Sequence, residues 1–327
     1  MAGILPTPIR FSCIGGRCVY DPHGQYGDLF TCIRQCGLAP PPPTVTKYSC
    51  SGSPDYACVE NPNGQYGDLQ TCRNNCVAPP PQEIIPQTLC GRDKVIEYDT
   101  RRIQTNLWGV PSNEYINLSK NCVLLNSDGT FGWKWDRPDP KPLPGEQYIA
   151  PIYPDITTGT SPWGGYNSNP NLPVKVRDIG SLMFSVDYRY SVLPSRSDGL
   201  NFAYDMWVLD KPVPDQVSLD TRKEIMIWIN KQNVPMPPPI AQVSDGINKY
   251  SLDAWEGYNA FMLEVLPSYG SKSHNVNVKV LLDYLVHRGF IPADWYLAEV
   301  GLGNEIWKSR GQMQITKLEY MLNGISI

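Results

Sequence analysis

Three carboxylates stand in settings that could do chemistry: Glu224, Glu305 and Asp205. Lys223 to Asn230 reads at period two as a β-strand with two unlike faces. Ile225, Ile227 and Ile229 form one face, suited to the gap between two sheets. Glu224, Met226, Trp228 and Asn230 form the other. A carboxylate beside a soft apolar side chain and a large aromatic suits a cleft for a ligand with polar edges and flat apolar faces, as sugars have. The competing reading is a solvated Glu at the start of a strand, with Trp228 as ordinary core. In Gly301 to Trp307, Glu305 again stands beside an aromatic, Trp307. Asp205 lies within the apolar run Tyr204-Asp205-Met206-Trp207. A buried Asp is costly unless hydrogen-bonded, so it calls for a partner, and a carboxyl near Glu224 would tune both pKa values.

Other chemistries find little support. There are three histidines, none in a metal-binding spacing, and no Gly-x-Ser-x-Gly elbow. Cutting a glycosidic bond needs only two carboxyls, one to protonate the leaving oxygen and one to attack or to activate water. Such a site calls for no metal and no cofactor. With 32 acidic residues in the chain, the local settings must do the selecting.

Composition narrows the partners. Charged residues make up 18% of 327, the net charge is -4, and no Lys/Arg block occurs, which argues against nucleic acid and acidic membrane surfaces. No apolar run approaches the roughly 20 residues of a membrane helix. Nine Trp and nineteen Tyr supply rings that can stack on flat ligands or fill a β-rich core.

Ten cysteines fall into two clusters of four and a pair: Cys13, Cys18, Cys32 and Cys36; Cys50, Cys58, Cys72 and Cys76; Cys90 and Cys122. The gaps within the clusters, four or seven, then thirteen, then three residues, suit disulfide loops better than zinc, the competing reading. Disulfides imply an oxidising setting, extracellular or on a virion, although Met1 to Phe11 lacks the apolar stretch of a signal peptide. The two clusters are an internal repeat. Gly24-Gln25-Tyr26-Gly27-Asp28-Leu29 recurs as Gly64-Gln65-Tyr66-Gly67-Asp68-Leu69. Asp28 and Asp68 read as N-caps of short helices whose cysteines bridge back to the two preceding ones. Pro40–Pro43 and Pro79–Pro81 read as stiff spacers. The expected division is a first repeat (1–38), a linker (39–46), a second repeat (47–77), a linker (78–88) and a large domain (89–327). The repeats are similar to small cysteine-rich modules of large algal virus proteins. That similarity implies attachment, to cell-wall polysaccharide or a virion surface; inert stalk beads are the alternative.

After Leu89 the chain reads as many short strands with Gly, Pro and Asn turns, which points to a sandwich. Strands are predicted from Phe184 to Tyr190 and from Asn201 to Leu209. A single helix, with Val278, Leu281, Leu282, Leu285 and Val286 on one face, is stopped by Gly289.

Glu224-Ile225-Met226-Ile227-Trp228, followed some eighty residues later by Asn304-Glu305-Ile306-Trp307, with Thr105-Asn106-Leu107-Trp108-Gly109 near the start, resembles glycoside hydrolase family 12. The resemblance runs from about Leu89 to the C-terminus. It implies an all-β, two-sheet jelly-roll sandwich with one packed helix, and a retaining endo-acting hydrolase of β-1,4-glucan (cellulose, mixed-linkage glucan or xyloglucan). Carried over by position, Glu224 would be the nucleophile and Glu305 the acid/base, with Asp205 hydrogen-bonded to the nucleophile. Met226 would line the reacting subsite, and Asn106 and Trp108 would hold sugar on the non-reducing side. Cys90 and Cys122 match the family's N-terminal disulfide. Trp135 and Trp163, in stretches similar to the family's prokaryotic branch, and Trp228 would add aromatic surface for substrate. Asn304 stands where the family commonly has Thr, and Val174 to Arg177 departs from its usual run, which leaves substrate preference open. The alternative is a non-catalytic polysaccharide-binding or virion attachment protein on the same fold.

Overall fold

The computed structural model describes residues 9–36, 46–50, 57–61, 64–76, 83–212, 221–234, 238–255, 258–263 and 265–327. The chain divides into two compact units, Met1–Gln82 and Glu83–Ile327. Both proline spacers, Pro40–Pro43 and Pro79–Pro81, lie outside the described residues.

In the first unit each repeat is a hairpin followed by a short helix. Phe11–Ile14 pairs with Arg17–Tyr20 before the helix Leu29–Gln35, and Tyr48–Cys50 pairs with Cys58–Glu60 before the helix Leu69–Asn75. Asp28 and Asp68 cap these helices as expected, each accepting from the backbone N–H three residues on at 2.8 Å. The recurrent Gly-Gln-Tyr lies along the first strand: the Phe11 and Tyr26 backbones exchange two hydrogen bonds, as do those of Tyr48 and Tyr66. Glycine is needed there, because a Cβ on Gly24 or Gly64 would sit 2.4 Å from the strand backbone. Every cysteine is in a disulfide: Cys13–Cys36 and Cys18–Cys32 in one repeat, Cys50–Cys76 and Cys58–Cys72 in the other, and Cys90–Cys122 in the second unit. Units this small bury too little apolar surface to fold unaided, and the bridges make up the deficit.

The second unit is an antiparallel-rich sandwich of two sheets. One sheet runs, in spatial order, Val95–Tyr98, Arg101–Gln104, Asp155–Gly159, Tyr296–Gly303, Gly199–Leu209, Arg222–Gln232, Tyr258–Met262, Lys249–Trp255 and Ala241–Ser244. The other runs Gln87–Cys90, Cys122–Leu125, Phe131–Arg137, Ile306–Leu322, Leu182–Val192 and Lys272–Asn277. The 17-residue strand Ile306–Leu322 begins on the first sheet, where Ile306 pairs with Leu200, and continues through the second. Glu83 to Thr88 correct the expected linker. Gln87–Cys90 pairs with Cys122–Leu125, and Ile84 packs against the core, so the sandwich begins before Leu89.

Period two is obeyed where the sheets face each other. Ile225, Ile227 and Ile229 are buried in one core cluster with Phe184, Tyr204 and Val300. Burial of each isoleucine contributes roughly 1.5–3 kcal/mol. Asn230 breaks the alternation. Ile229 has no partner between the pairs Ala203↔Trp228 and Phe202↔Asn230, and this bulge turns Asn230 into the core. There it accepts from Tyr190 Oη at 3.2 Å. Val278–His287 is the expected helix, with Val278, Leu281, Leu282 and Leu285 buried and Gly289 past its end at φ 73.

Candidate active site

The first sheet builds the site by register. On the strand Arg222–Gln232, Glu224 lies opposite Trp207 and Tyr258, Met226 opposite Asp205 and Ala260, and Trp228 opposite Ala203 and Met262. One strand further on, Glu299, Gly301 and Gly303 lie opposite Trp207, Asp205 and Ala203. Beyond them come Thr157 and Asp155, opposite Gly301 and Gly303. Side chains at alternate positions share a face, and this face is not the one filled by Ile225 and Ile227. Together with the loops above it, it forms a cleft of about 660 Å³. Gly303 leaves room for Tyr153, whose Cζ a Cβ there would approach to 2.8 Å. Tyr153 Oη reaches across to donate to the Ala203 carbonyl at 3.1 Å.

Glu305 enters from a break between strands. Asn304 and Glu305 separate Tyr296–Gly303 from Ile306–Leu322, at the point where the chain leaves one sheet for the other. Asn304 is fully buried and anchors this break from both sheets: Trp133 Nε1 donates to its Oδ1 at 2.8 Å, and its Nδ2 donates to the Asn201 carbonyl at 2.7 Å. The Glu305 side chain is held by Asn201, whose Nδ2 donates to Oε2 while its Oδ1 accepts from the Glu305 N–H at 3.0 Å.

Five carboxyls line the cleft: Asp155, Asp205, Glu224, Glu299 and Glu305. Burial raises Glu224 to about 7, partly offset by the charge of Arg222. Burial and the neighbouring Glu224 push Glu305 up to about 8, against the Asn201 hydrogen bond. Asp205 is raised well above the carboxylate range, first by burial and then by Glu224 and Glu305. Glu299 is raised to about 7 by burial and accepts from Tyr166 Oη at 2.6 Å. Asp155 is raised by burial and by Glu299. Burial and mutual repulsion therefore hold all of these carboxyls above the ordinary carboxylate range, Glu305 partly because Glu224 stands beside it.

Asp205, expected as the hydrogen-bonding neighbour of Glu224, lines the same cleft as Glu224. Asp205 stands opposite Met226, one diagonal step from Glu224, and its buried Oδ1 has no partner among the described residues. The nearby Glu224 is, after burial, the largest influence that raises Asp205. Met226 lines the cleft as expected, and its Sδ accepts from Tyr258 Oη at 3.2 Å and Trp228 Nε1 at 3.4 Å. Asn106, in the left-handed region at φ 37, and the exposed Trp108 and Trp163 also line it.

Two expected substrate tryptophans are corrected. Trp228 is 1% exposed and packs beside Trp307 beneath the cleft. Trp135 is 2% exposed on the opposite sheet, and its Nε1 donates to Ser309 Oγ at 3.0 Å. Both rings serve the core. Sequence reasoning missed Asn201, Asp155, Tyr166, Trp207, Arg222 and Glu299. Glu299, between Ala298 and Val300, shows the same acid-in-apolar-strand signal that marked Asp205 and could have been found by it.

Residues 100–323 match the family model for glycosyl hydrolase family 12, a span that includes all five cleft carboxyls. The chain belongs to glycosyl hydrolase family 12. Its sandwich is similar to solved family 12 structures. A xyloglucanase from Bacillus licheniformis is 22% identical at TM-score 0.57, covering 72% of this chain and 100% of that one. Endoglucanase Cel12A from Rhodothermus marinus is 24% identical at TM-score 0.54, covering 74% and 100%. A metagenome-derived endoglucanase is 23% identical at TM-score 0.57, covering 74% and 99%. These similarities show a shared fold. No curated protein sequence matches the chain. The family 12 match leaves out residues 1–99, and with them both cysteine-rich repeats.

Proposed function

We propose that this family 12 protein is a retaining, endo-acting hydrolase of β-1,4-glucan (cellulose, mixed-linkage glucan or xyloglucan), with Glu224 as nucleophile and Glu305 as acid/base. The observation that carries this reading is the pair itself. Two carboxyls on separate elements line one open cleft, and their environments set Glu305 above Glu224 in pKa. In a double displacement Glu224, ionised, attacks the anomeric carbon while Glu305 gives its proton to the leaving oxygen. Glu305 then takes a proton from the water that releases the sugar from Glu224. Asn201, donating to Oε2, leaves Oε1 to carry the proton in transit. Asp205, protonated beside Glu224, adds no second negative charge at the nucleophile. Trp108, Trp163 and Asn106 hold the chain along the cleft.

The five disulfides fit an oxidising compartment, and we read the protein as secreted or virion-associated. No helix among the described residues is long and apolar enough to cross a membrane. The repeats are read as attachment modules for wall polysaccharide or a virion surface. The deciding experiment is reducing-end release on a panel of neutral β-glucans, with NMR of the first anomer formed. New β-anomer, lost in Glu224→Gln, is expected. Release of α-anomer would reject the retaining course, and binding without release on every glucan would reject the enzyme.

A further inference from the structure

Arg222 is the one cation among the described residues lining the cleft. It opens the Glu224 strand, two residues before Glu224 and on the same face. Its guanidinium lies 3.9 Å from the ring centroid of Trp163 and 5.3 Å from that of Trp207. The two rings are themselves packed edge to face at 5.7 Å. A planar guanidinium stacked on indole is held by dispersion and by the ring quadrupole, so its position is set before any ligand arrives.

That position leaves the group incompletely bonded. Among the described residues, Nε and Nη1 of Arg222 are buried without a hydrogen-bond partner, and no carboxylate stands within ion-pair distance. Arg137 shows how this fold satisfies an arginine that it buries for structure. Its Nε and Nη2 take both oxygens of Glu114 at 2.8 and 2.9 Å, and its Nη1 and Nη2 also donate to the Ala150 and Gly109 carbonyls. Arg222 has a shelf of two tryptophans where Arg137, which also donates to the Ile306 carbonyl, has five acceptor oxygens. Arg222 as a whole is only partly buried, but shielded donors with no partner are costly until an acceptor, above all an anionic one, takes up the guanidinium.

We infer that Arg222, shelved on Trp163 and Trp207, is a binding site for a carboxylate carried by the glycan, so that the cleft takes β-linked glucan bearing uronic acid residues in preference to the neutral polymer. The inference rests on the reading of the cleft as a β-glucan site. A sugar hydroxyl could accept one hydrogen bond from Arg222 but would bring no opposite charge to ion-pair distance. A carboxylate answers both needs, with two oxygens for the guanidinium fork and a charge of opposite sign. Trp163, more than half exposed at the cleft, offers apolar surface to the sugar that carries it.

The test reads binding rather than rate, because the charge of Arg222 also bears on Glu224. Full-length protein carrying Glu305→Gln, which leaves Arg222 and Glu224 in place, is titrated by calorimetry with cellotetraose and with cellotetraose oxidised to the carboxylate at C6. The oxidised sugar is expected to bind about tenfold more tightly, the size of one added charge-assisted contact. Added salt should shrink that preference. Arg222→Gln should abolish it, and Arg222→Lys, which keeps the charge without the fork, should retain part of it. Equal binding of the two sugars, or a preference that survives Arg222→Gln, would overturn the inference. An Arg222→Gln loss of the same size on both sugars would also overturn it, in favour of a hydroxyl contact. Failure to bind either sugar would instead count against the β-glucan reading itself and remove the basis of this one. Circular dichroism of each variant separates these outcomes from misfolding.

Discussion

Asn201 grips Glu305 twice, through the side-chain oxygen Oε2 and through the backbone N–H. The two residues are 104 apart in sequence and come together only because Ile306–Leu322 starts beside Gly199–Leu209. Asn201→Ala should therefore act on the proposed acid/base, Glu305. Removing a hydrogen bond that holds the Glu305 pKa down should move the alkaline limb of the rate profile upward. Loss of alignment should lower kcat by roughly 10–100-fold, with KM little changed. An unaltered pH limb with an unchanged kcat would show that the contact is structural only.

The roles of the two glutamates can be told apart by leaving group. Glu305→Gln should reduce kcat on β-glucan by roughly 10²–10⁴-fold, and far less on an aryl glycoside whose phenolate leaves without a proton. Glu224→Gln should lose both activities. Equal losses for Glu305→Gln on the two substrates would remove Glu305 from the acid role.

In the proposed double displacement, activity on neutral glucan requires Glu224 ionised and Glu305 protonated. With the first at about 7 and the second at about 8, kcat/KM should be bell-shaped, with its maximum at neutral to mildly alkaline pH. A profile still rising at pH 5 as the medium is made more acid would contradict the burial that raises both groups.

Stability should run the other way across the same range. Glu299 is 6% exposed, and its folded pKa, about 7, stands above that of an unfolded Glu. Between those values the folded state holds a proton that the unfolded state has released. Its contribution is therefore complete below the unfolded pKa and is lost as pH rises through the folded one. Thermal melts should show a lower Tm at pH 8 than at pH 5. Glu299→Gln, which keeps an acceptor for Tyr166, should narrow that gap, the change in unfolding free energy being at most about 3 kcal/mol. An unchanged gap would mean that Glu299 is not held neutral.

The parts of the site legible in the sequence are those with a local signature. Period two gave both faces of the Glu224 strand as far as Trp228, and helix periodicity gave Val278 to Leu285. The misses share a cause in pairing between distant segments. Trp135 and Trp163 look alike as sequence, yet one faces the core from the second sheet and the other stands exposed at the cleft. Asn230 would have stayed on the cleft face but for a bulge that no alternation pattern announces. Asn201 is a single amide in an apolar strand, and its meaning depends on Glu305 arriving beside it. Arg222 reads as a strand-end charge until Trp163, brought by a loop 59 residues earlier, lies against it.

The cysteine-rich repeats should be dispensable for chemistry. Glu83–Ile327 forms a compact unit of its own, and every residue lining the cleft belongs to it. It also carries its own cross-link, Cys90–Cys122, closing a separation of 32 residues. In the chain-entropy model that bridge contributes roughly 3–4 kcal/mol, independent of the repeats. A chain beginning at Glu83 keeps Ile84 and the strand Gln87–Cys90, both of which pack in the sandwich, whereas one beginning at Leu89 would cut into that strand. The Glu83 truncation should match the full chain in kcat/KM on soluble mixed-linkage glucan. On intact cell wall it should fall behind if the repeats attach as proposed, since attachment raises the local concentration of a tethered protein. The Leu89 truncation should melt at lower temperature than either. Loss of soluble activity in a Glu83 truncation that still melts cooperatively would show that the repeats help build the cleft. Equal rates of all chains on cell wall would leave the repeats without an attachment role.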